Sequence, residues 1–184
     1  MYLFLLPLLI GFAFNSASAF STYCSQRLGE RRGRWVCILL RDVLGIPVWA
    51  AGYAMAALSQ SPGVFTRTSL TSTLAWAFVL SGLTLIIAGL VSLRWRAAAP
   101  SIKDTLVVTG LYAHIRHPLY SGLLLELAGL FLWFPSRGML VACLLGVLWV
   151  FLQARLEELD LIQRLPAYRE YMQRVPRFVP KFRE

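Results

Sequence analysis

The sequence predicts an all-α membrane protein with about five transmembrane helices and a C-terminal cytosolic amphipathic helical lobe. Three observations carry that expectation. Apolar residues make up 58% of the 184-residue chain and charged residues only 15%, far from the balance of a soluble domain. Two long stretches, Met1 to Gln26 and Thr68 to Leu93, contain no Asp, Glu, Lys or Arg. Each exceeds the roughly 20 apolar residues needed to cross about 30 Å of hydrocarbon. Finally, the basic residues fall in blocks between the apolar stretches.

The first helix is expected within Met1 to Gln26. Ala17-Ser18-Ala19 has the small-residue look of a signal-peptidase site, but no Lys or Arg precedes the apolar run. Cleavage there would also put the cluster Arg27, Arg31, Arg32 and Arg34 outside, so a retained helix is expected. The second span, Trp35 to Ser59, is interrupted by Arg41 and Asp42, and the third is Thr68 to Leu93. The fourth, Pro118 to Pro135, contains Glu126, and the fifth, Gly138 to Ala154, is uncharged but short. Only Ser136 and Arg137 separate the last two, which predicts a tight antiparallel hairpin.

Five spans with the N-terminus outside place fifteen of the eighteen basic residues in the cytoplasm. These are the Arg27 to Arg34 cluster; Arg94, Arg96, Lys103 and Arg116; and Arg155, Arg164, Arg169, Arg174, Arg177, Lys181 and Arg183. Arg67 and Arg137 are left outside and Arg41 within a span. The net charge of +9 therefore reflects positive-inside bias against anionic lipid headgroups rather than binding to nucleic acid. Cys24, Cys37 and Cys143 have no C-x-x-C spacing and His114 and His117 are the only histidines, so neither a disulfide framework nor a metal site is expected.

Composition shifts at Arg94, where the chain turns polar, and again at Gln153. The first polar stretch ends in Gly110, suited to a turn, and Pro118, suited to the first turn of a helix. After Gln153, charged residues from Arg155 to Arg164 interleave with Leu156, Leu159, Leu161, Ile162 and Leu165, an amphipathic helix that Pro166 breaks. A short piece from Ala167 to Arg174 brings Tyr168 and Tyr171 to one face. Trp35, Trp95, Trp133 and Trp149 are expected as belt anchors or packing residues.

The string Gly110-Leu111-Tyr112-Ala113-His114-Ile115-Arg116-His117-Pro118-Leu119-Tyr120-Ser121-Gly122 resembles the G-x-Y-x-x-x-R-H-P-x-Y-x-G signature of the isoprenylcysteine carboxyl methyltransferases and the related phospholipid methyltransferases. Downstream, Arg155-Leu156-Glu157-Glu158 resembles the family's R-x-E-E motif, and Tyr168-Arg169-Glu170-Tyr171 with Arg174-Val175-Pro176 its Y-x-x-Y…R-V-P ending. The resemblance covers about Pro100 to Pro180. Leu165-Pro166-Ala167-Tyr168 departs from the family's F-G-x-x-Y by one residue, which leaves Glu157 and Glu158 equally placed for the principal acidic role.

The resemblance implies a membrane enzyme that uses S-adenosylmethionine, with residues 1–99 anchoring it and shaping the acceptor side, and residues 100–184 binding the cofactor. Tyr112, His114, Arg116, His117, Pro118, Tyr120, Gly122, Glu157, Glu158, Tyr168 and Tyr171 are the cofactor-site candidates, with Arg116, Glu157 and Glu158 closest to the chemistry. Arg116 can take a carboxylate bidentately and either glutamate can accept from an ammonium or ribose. Tyr168 and Tyr171 suit interfacial belt positions equally well. Glu126 and Arg41, outside the signature, are substrate candidates because an ionisable group at membrane depth is functional by default; an ion pair between them is the structural alternative.

The expected acceptor is a lipid-like or prenylated molecule, methylated on a carboxylate. N-methylation of a phospholipid amine such as phosphatidylethanolamine is the second reading. A non-catalytic membrane scaffold, or a sterol-reductase-like relative that binds no cofactor, is the third.

Overall fold

The computed structural model describes residues 2–93 and 105–181. The expectations for Arg94, Trp95, Arg96, Lys103 and Arg183 lie outside them. The described chain is helical, in the order α1 (Leu5–Asn15), α2 (Ser21–Leu28), α3 (Glu30–Ile38), α4 (Ile46–Leu58), α5 (Ser69–Leu93), α6 (Pro118–Trp133), α7 (Arg137–Arg164) and α8 (Tyr168–Arg174). Four helical runs are long and apolar enough to cross a membrane: Leu5–Leu28, Glu30–Leu58, Ser69–Leu93 and Arg137–Arg164. The apolar Pro118–Trp133 is shorter. The protein is thus an all-α membrane protein, as its composition requires.

Neither of the first two runs is a regular helix. Between α1 and α2 the chain tightens into a 3₁₀ turn at Ser16–Phe20. There the hydroxyls of Ser16, Ser18 and Ser21 donate to the carbonyls of Phe12, Asn15 and Ser18 at 2.8, 3.2 and 2.7 Å, serving acceptors that the changed winding releases. Gly29, at φ +81°, then reverses the chain directly into α3. The second run widens into a π-helical segment, Leu39–Gly45, that contains Arg41 and Asp42. Asn15 Nδ2 donates to the Arg41 carbonyl at 3.2 Å across the pair of runs.

α5 lies against α6 with almost no side chain between them, since a Cβ on Gly122 would stand 2.5 Å from the Gly82 carbonyl oxygen. Such small-residue seams replace the hydrophobic drive that lipid cannot supply. The turn from α6 to α7 is short, and the Ser136 hydroxyl caps α7 by accepting from the Met139 amide at 3.2 Å. The loop before α5 closes over it through Val64 N to Pro135 O (2.7 Å) and Arg137 N to Pro62 O (2.9 Å).

The expected fifth span and the amphipathic segment after it are one helix. α7 runs for 28 residues, about 42 Å, so its last turns extend beyond a hydrocarbon layer of about 30 Å. The core sits where α1, α4, α6 and α7 meet, around Leu8, Phe12, Tyr53, Leu127, Met139 and Val150. Trp149 stacks on Phe12 there, ring centroids 4.8 Å apart. Trp133 meets Trp76 edge-on and lies under the Arg67 guanidinium at 4.9 Å, whereas Trp35 is exposed.

Candidate active site

Gly110 begins the site. At φ +62° it holds a left-handed turn after which Tyr112 is buried, and a Cβ there would lie 2.8 Å from Ser92 Oγ at the end of α5. The following Arg116-His117 segment pairs with the C-terminal tail through Arg116 N to Pro176 O (2.9 Å) and His117 N to Arg177 O (3.0 Å). Ser121 Oγ adds a bond to the Phe178 carbonyl at 2.7 Å. The R-V-P ending thus serves as a strap across the mouth of α6.

Under this strap Glu158 is wholly buried, and both of its oxygens are paired. Arg177 donates to both of them, Nε at 3.0 Å and Nη2 at 2.5 Å; Arg116 Nη2 lies 3.2 Å away and His117 Nε2 3.3 Å. Arg116 also donates through Nη1 to the Met172 carbonyl at 3.1 Å, and its buried Nε has no acceptor among the described residues.

Glu157, one residue earlier, points differently. Its Oε1 accepts from Tyr120 (2.6 Å), Gln153 (3.0 Å) and Ser18 (3.2 Å), while Oε2 stands 4.0 Å from His117 Nδ1. Asp160 accepts from the Thr22 amide at 3.0 Å and from Arg164 Nε at 3.1 Å. Trp149, Gln153, Glu157, Asp160 and Arg164 follow i, i+4 or i, i+3 spacing, so one stripe of α7 faces the start of the chain.

A cavity of about 510 Å³ runs along this stripe. Its lining includes a polar group, Tyr112, Arg116, His117, Tyr120, Glu157, Asp160, Tyr168 and Tyr171, and a mainly apolar group, Ile46, Trp49, Ile86, Leu90 and Leu123, with Glu126. Asn15, Ser18, Arg41 and Asp42 lie along its wall. Burial raises the Tyr112 and Tyr168 phenols well above their ordinary value and the Tyr171 phenol to about 12, so all three remain neutral donors. Tyr171 uses its hydroxyl on the Tyr112 carbonyl at 2.6 Å.

Four expected cofactor residues do not reach the cavity. His114 is exposed in a turn, Pro118 is buried as the opening residue of α6, Gly122 is consumed by the seam with α5, and Glu158 lies behind the wall, enclosed by arginines. The suggested Glu126–Arg41 ion pair is not formed. Arg41 instead pairs with its neighbour Asp42 at 2.7 and 2.8 Å, and Arg164 with Asp160. The sequence pattern does not single out Ser18, Asp160 or Trp49, whereas Gln153, a polar residue that ends an apolar run four before Glu157, carries a readable signal.

The sequence profile of the isoprenylcysteine carboxyl methyltransferase family matches residues 77–163. No curated protein and no solved structure matches the chain. The matched segment runs from within α5 to the penultimate residue of α7 and contains Tyr112, Arg116, His117, Tyr120, Glu157 and Glu158. Over that segment, just under half of the chain, the sequence is similar to the isoprenylcysteine carboxyl methyltransferase family.

Proposed function

We propose that the protein uses S-adenosylmethionine to methylate the carboxylate of a lipophilic, isoprenylcysteine-like acceptor at the cytoplasmic side of the membrane. The observation that carries this reading is a cavity lined both by a polar, tyrosine-rich group of residues and by an apolar group drawn from the helical runs. Its volume lies within the ordinary range for small-molecule sites.

The residues present fit the cofactor. Beside the cavity Arg116 keeps one buried N–H without an acceptor among the described residues, a cost that an α-carboxylate would remove. Glu157 has one oxygen triply served and the other 4.0 Å from His117 Nδ1, leaving an acceptor for an ammonium or ribose hydroxyl. Tyr112, Tyr168 and Tyr171 offer ring faces. Glu158, paired behind the wall, acts by fixing Arg116 and His117.

When bound, S-adenosylmethionine supplies the methyl group: the new bond forms to a carboxylate oxygen, the sulfur–methyl bond breaks, and its electron pair stays on sulfur. A carboxylate is ionised at neutral pH, so no side chain has to remove a proton. The chain's own work is to align the two partners and keep water out. Leu106, Val107, Leu161 and Leu165 line the cavity and suit the second task.

A second reading rests on Glu126, a half-buried cavity residue with no ion pair among the described residues, which suits a cationic headgroup and hence amine methylation. Purified protein in lipid, given methyl-labelled donor and a farnesylated cysteine acid, separates the two. Label released by mild alkali is expected; alkali-stable label on phospholipid supports the amine, and absence of any labelled product refutes both.

A further inference from the structure

The cavity holds a positive group at membrane depth that the cofactor has no evident use for. We propose that Arg41 is the receptor for the acceptor's carboxylate, and that Asp42 is an internal anion which the acceptor displaces. This rests on the carboxyl-methylation reading above.

Three observations point to it. First, the helix departs from α geometry where Arg41 stands, and the segment Leu39–Gly45 is held by a bond from Asn15 on another helix to the Arg41 carbonyl. Irregular backbone in a span persists only where it is enclosed by protein or lines a cavity, and such wide turns concentrate at functional sites.

Second, three arginines line the cavity, and their anions differ. Arg116 is bound to wholly buried Glu158 and a carbonyl; Arg164 is bound to Asp160, itself anchored by the Thr22 amide and only 7% exposed. Arg41 is bound to Asp42, whose side chain is 35% exposed and which lines the cavity itself. Asp42 is also adjacent in sequence, so the pair is not reinforced by the i, i+4 stacking that holds Asp160 to Arg164. An incoming carboxylate can take the guanidinium fork while Asp42 turns outward, an exchange that leaves the charge around Arg41 unchanged.

Third, Trp49, on the same run two turns later, lines the cavity and carries a buried indole N–H with no acceptor among the described residues. An anion seated by Arg41 offers that donor an oxygen. Ile46, Ile86, Leu90 and Leu123, which line the same cavity, provide the apolar wall for a long tail. The ligand class is therefore a monocarboxylate with an extended hydrocarbon chain.

The test measures steady-state methylation of a farnesylated N-acetylcysteine acid by R41Q, R41K and D42N in bilayers, with S-adenosylhomocysteine binding measured alongside. R41Q is expected to raise KM by at least about tenfold, the equivalent of one lost charge-assisted bond, and R41K to do so less. D42N, which removes the competing anion, is expected to lower KM, and donor-product affinity should stay within about twofold in all three variants. Unchanged KM in R41Q overturns the proposal. So does a D42N variant as impaired as R41Q, since that is the behaviour of a purely structural pair. Should R41Q fail to fold, the direction of the D42N effect decides alone: a lowered KM supports the exchange, and an unchanged or raised KM overturns it. Failure of the parent to form an alkali-labile product from this acid is a separate result, and it removes the carboxylate reading itself.

Discussion

Replacing Glu158 by Gln tests how the two adjacent glutamates divide their work. The substitution keeps the shape of a side chain with no exposed surface but removes the charge that Arg177 and Arg116 meet at 2.5–3.2 Å. Removing one partner from a buried ion pair costs about 3–5 kcal/mol. Arg177 is 30% exposed and can recover some hydration, so the lower end, about 3 kcal/mol, applies. At about 2–4 °C per kcal/mol for a chain of this size, the thermal midpoint should fall by about 6–12 °C. Glu157→Gln retains a carbonyl oxygen for Tyr120, Ser18 and Gln153, and should change stability by no more than about 1 kcal/mol while abolishing cofactor binding. Tryptophan fluorescence during heating of detergent-purified variants reads both. A parent-like midpoint for E158Q, or equal loss in E157Q, refutes the assignment of Glu158 to the scaffold and Glu157 to the cavity.

Arg116→Lys keeps one charge but cannot reach Glu158, the Met172 carbonyl and a ligand together, so S-adenosylhomocysteine affinity should drop at least about tenfold with membrane insertion intact; parent-like binding would remove Arg116 from the cofactor site. Gly122→Ala places a methyl 2.5 Å from the Gly82 carbonyl and should destabilise the protein by about 1–3 kcal/mol, and an unchanged thermal midpoint would show that the seam between α5 and α6 can open. For topology, a reporter fused after Glu184 should be cytoplasmic and one inserted near Ser61 external, because the basic residues divide that way; both on one side would exclude five spans.

Much of this arrangement is legible in the chain. Charge-free stretches mark Leu5–Leu28 and Ser69–Leu93, and the interleaved leucines after Gln153 show a helix continuing past the membrane. The motif around Arg116 marks the candidate site because its residue types have local jobs, such as the left-handed turn at Gly110. Tertiary closure is what escapes. Nothing local distinguishes Glu157 from Glu158; their fates diverge because the 100° step between them aims one at the cavity and the other at Arg177 in the tail. Ala17-Ser18-Ala19 looks like a cleavage site in one dimension, yet in three it belongs to a turn, Ser16–Phe20, that presents Ser18 to Glu157. His114 and Gly122 belong to the same signature as Arg116, but they serve a solvent-facing turn and a helix seam, roles that spacing alone does not separate from binding.

The most direct test is equilibrium binding of S-adenosylhomocysteine to the purified protein, read as a shift in thermal midpoint across a ligand titration. A ligand held only by the native state stabilises it by about 2.7 kcal/mol at a hundredfold excess over Kd. The expected result is a saturable rise of about 5–11 °C in the parent and in D42N, absent in E157Q. No rise in the parent at millimolar ligand, or an equal rise in E157Q, would contradict the placing of the cofactor in the cavity beneath Arg116 and α7.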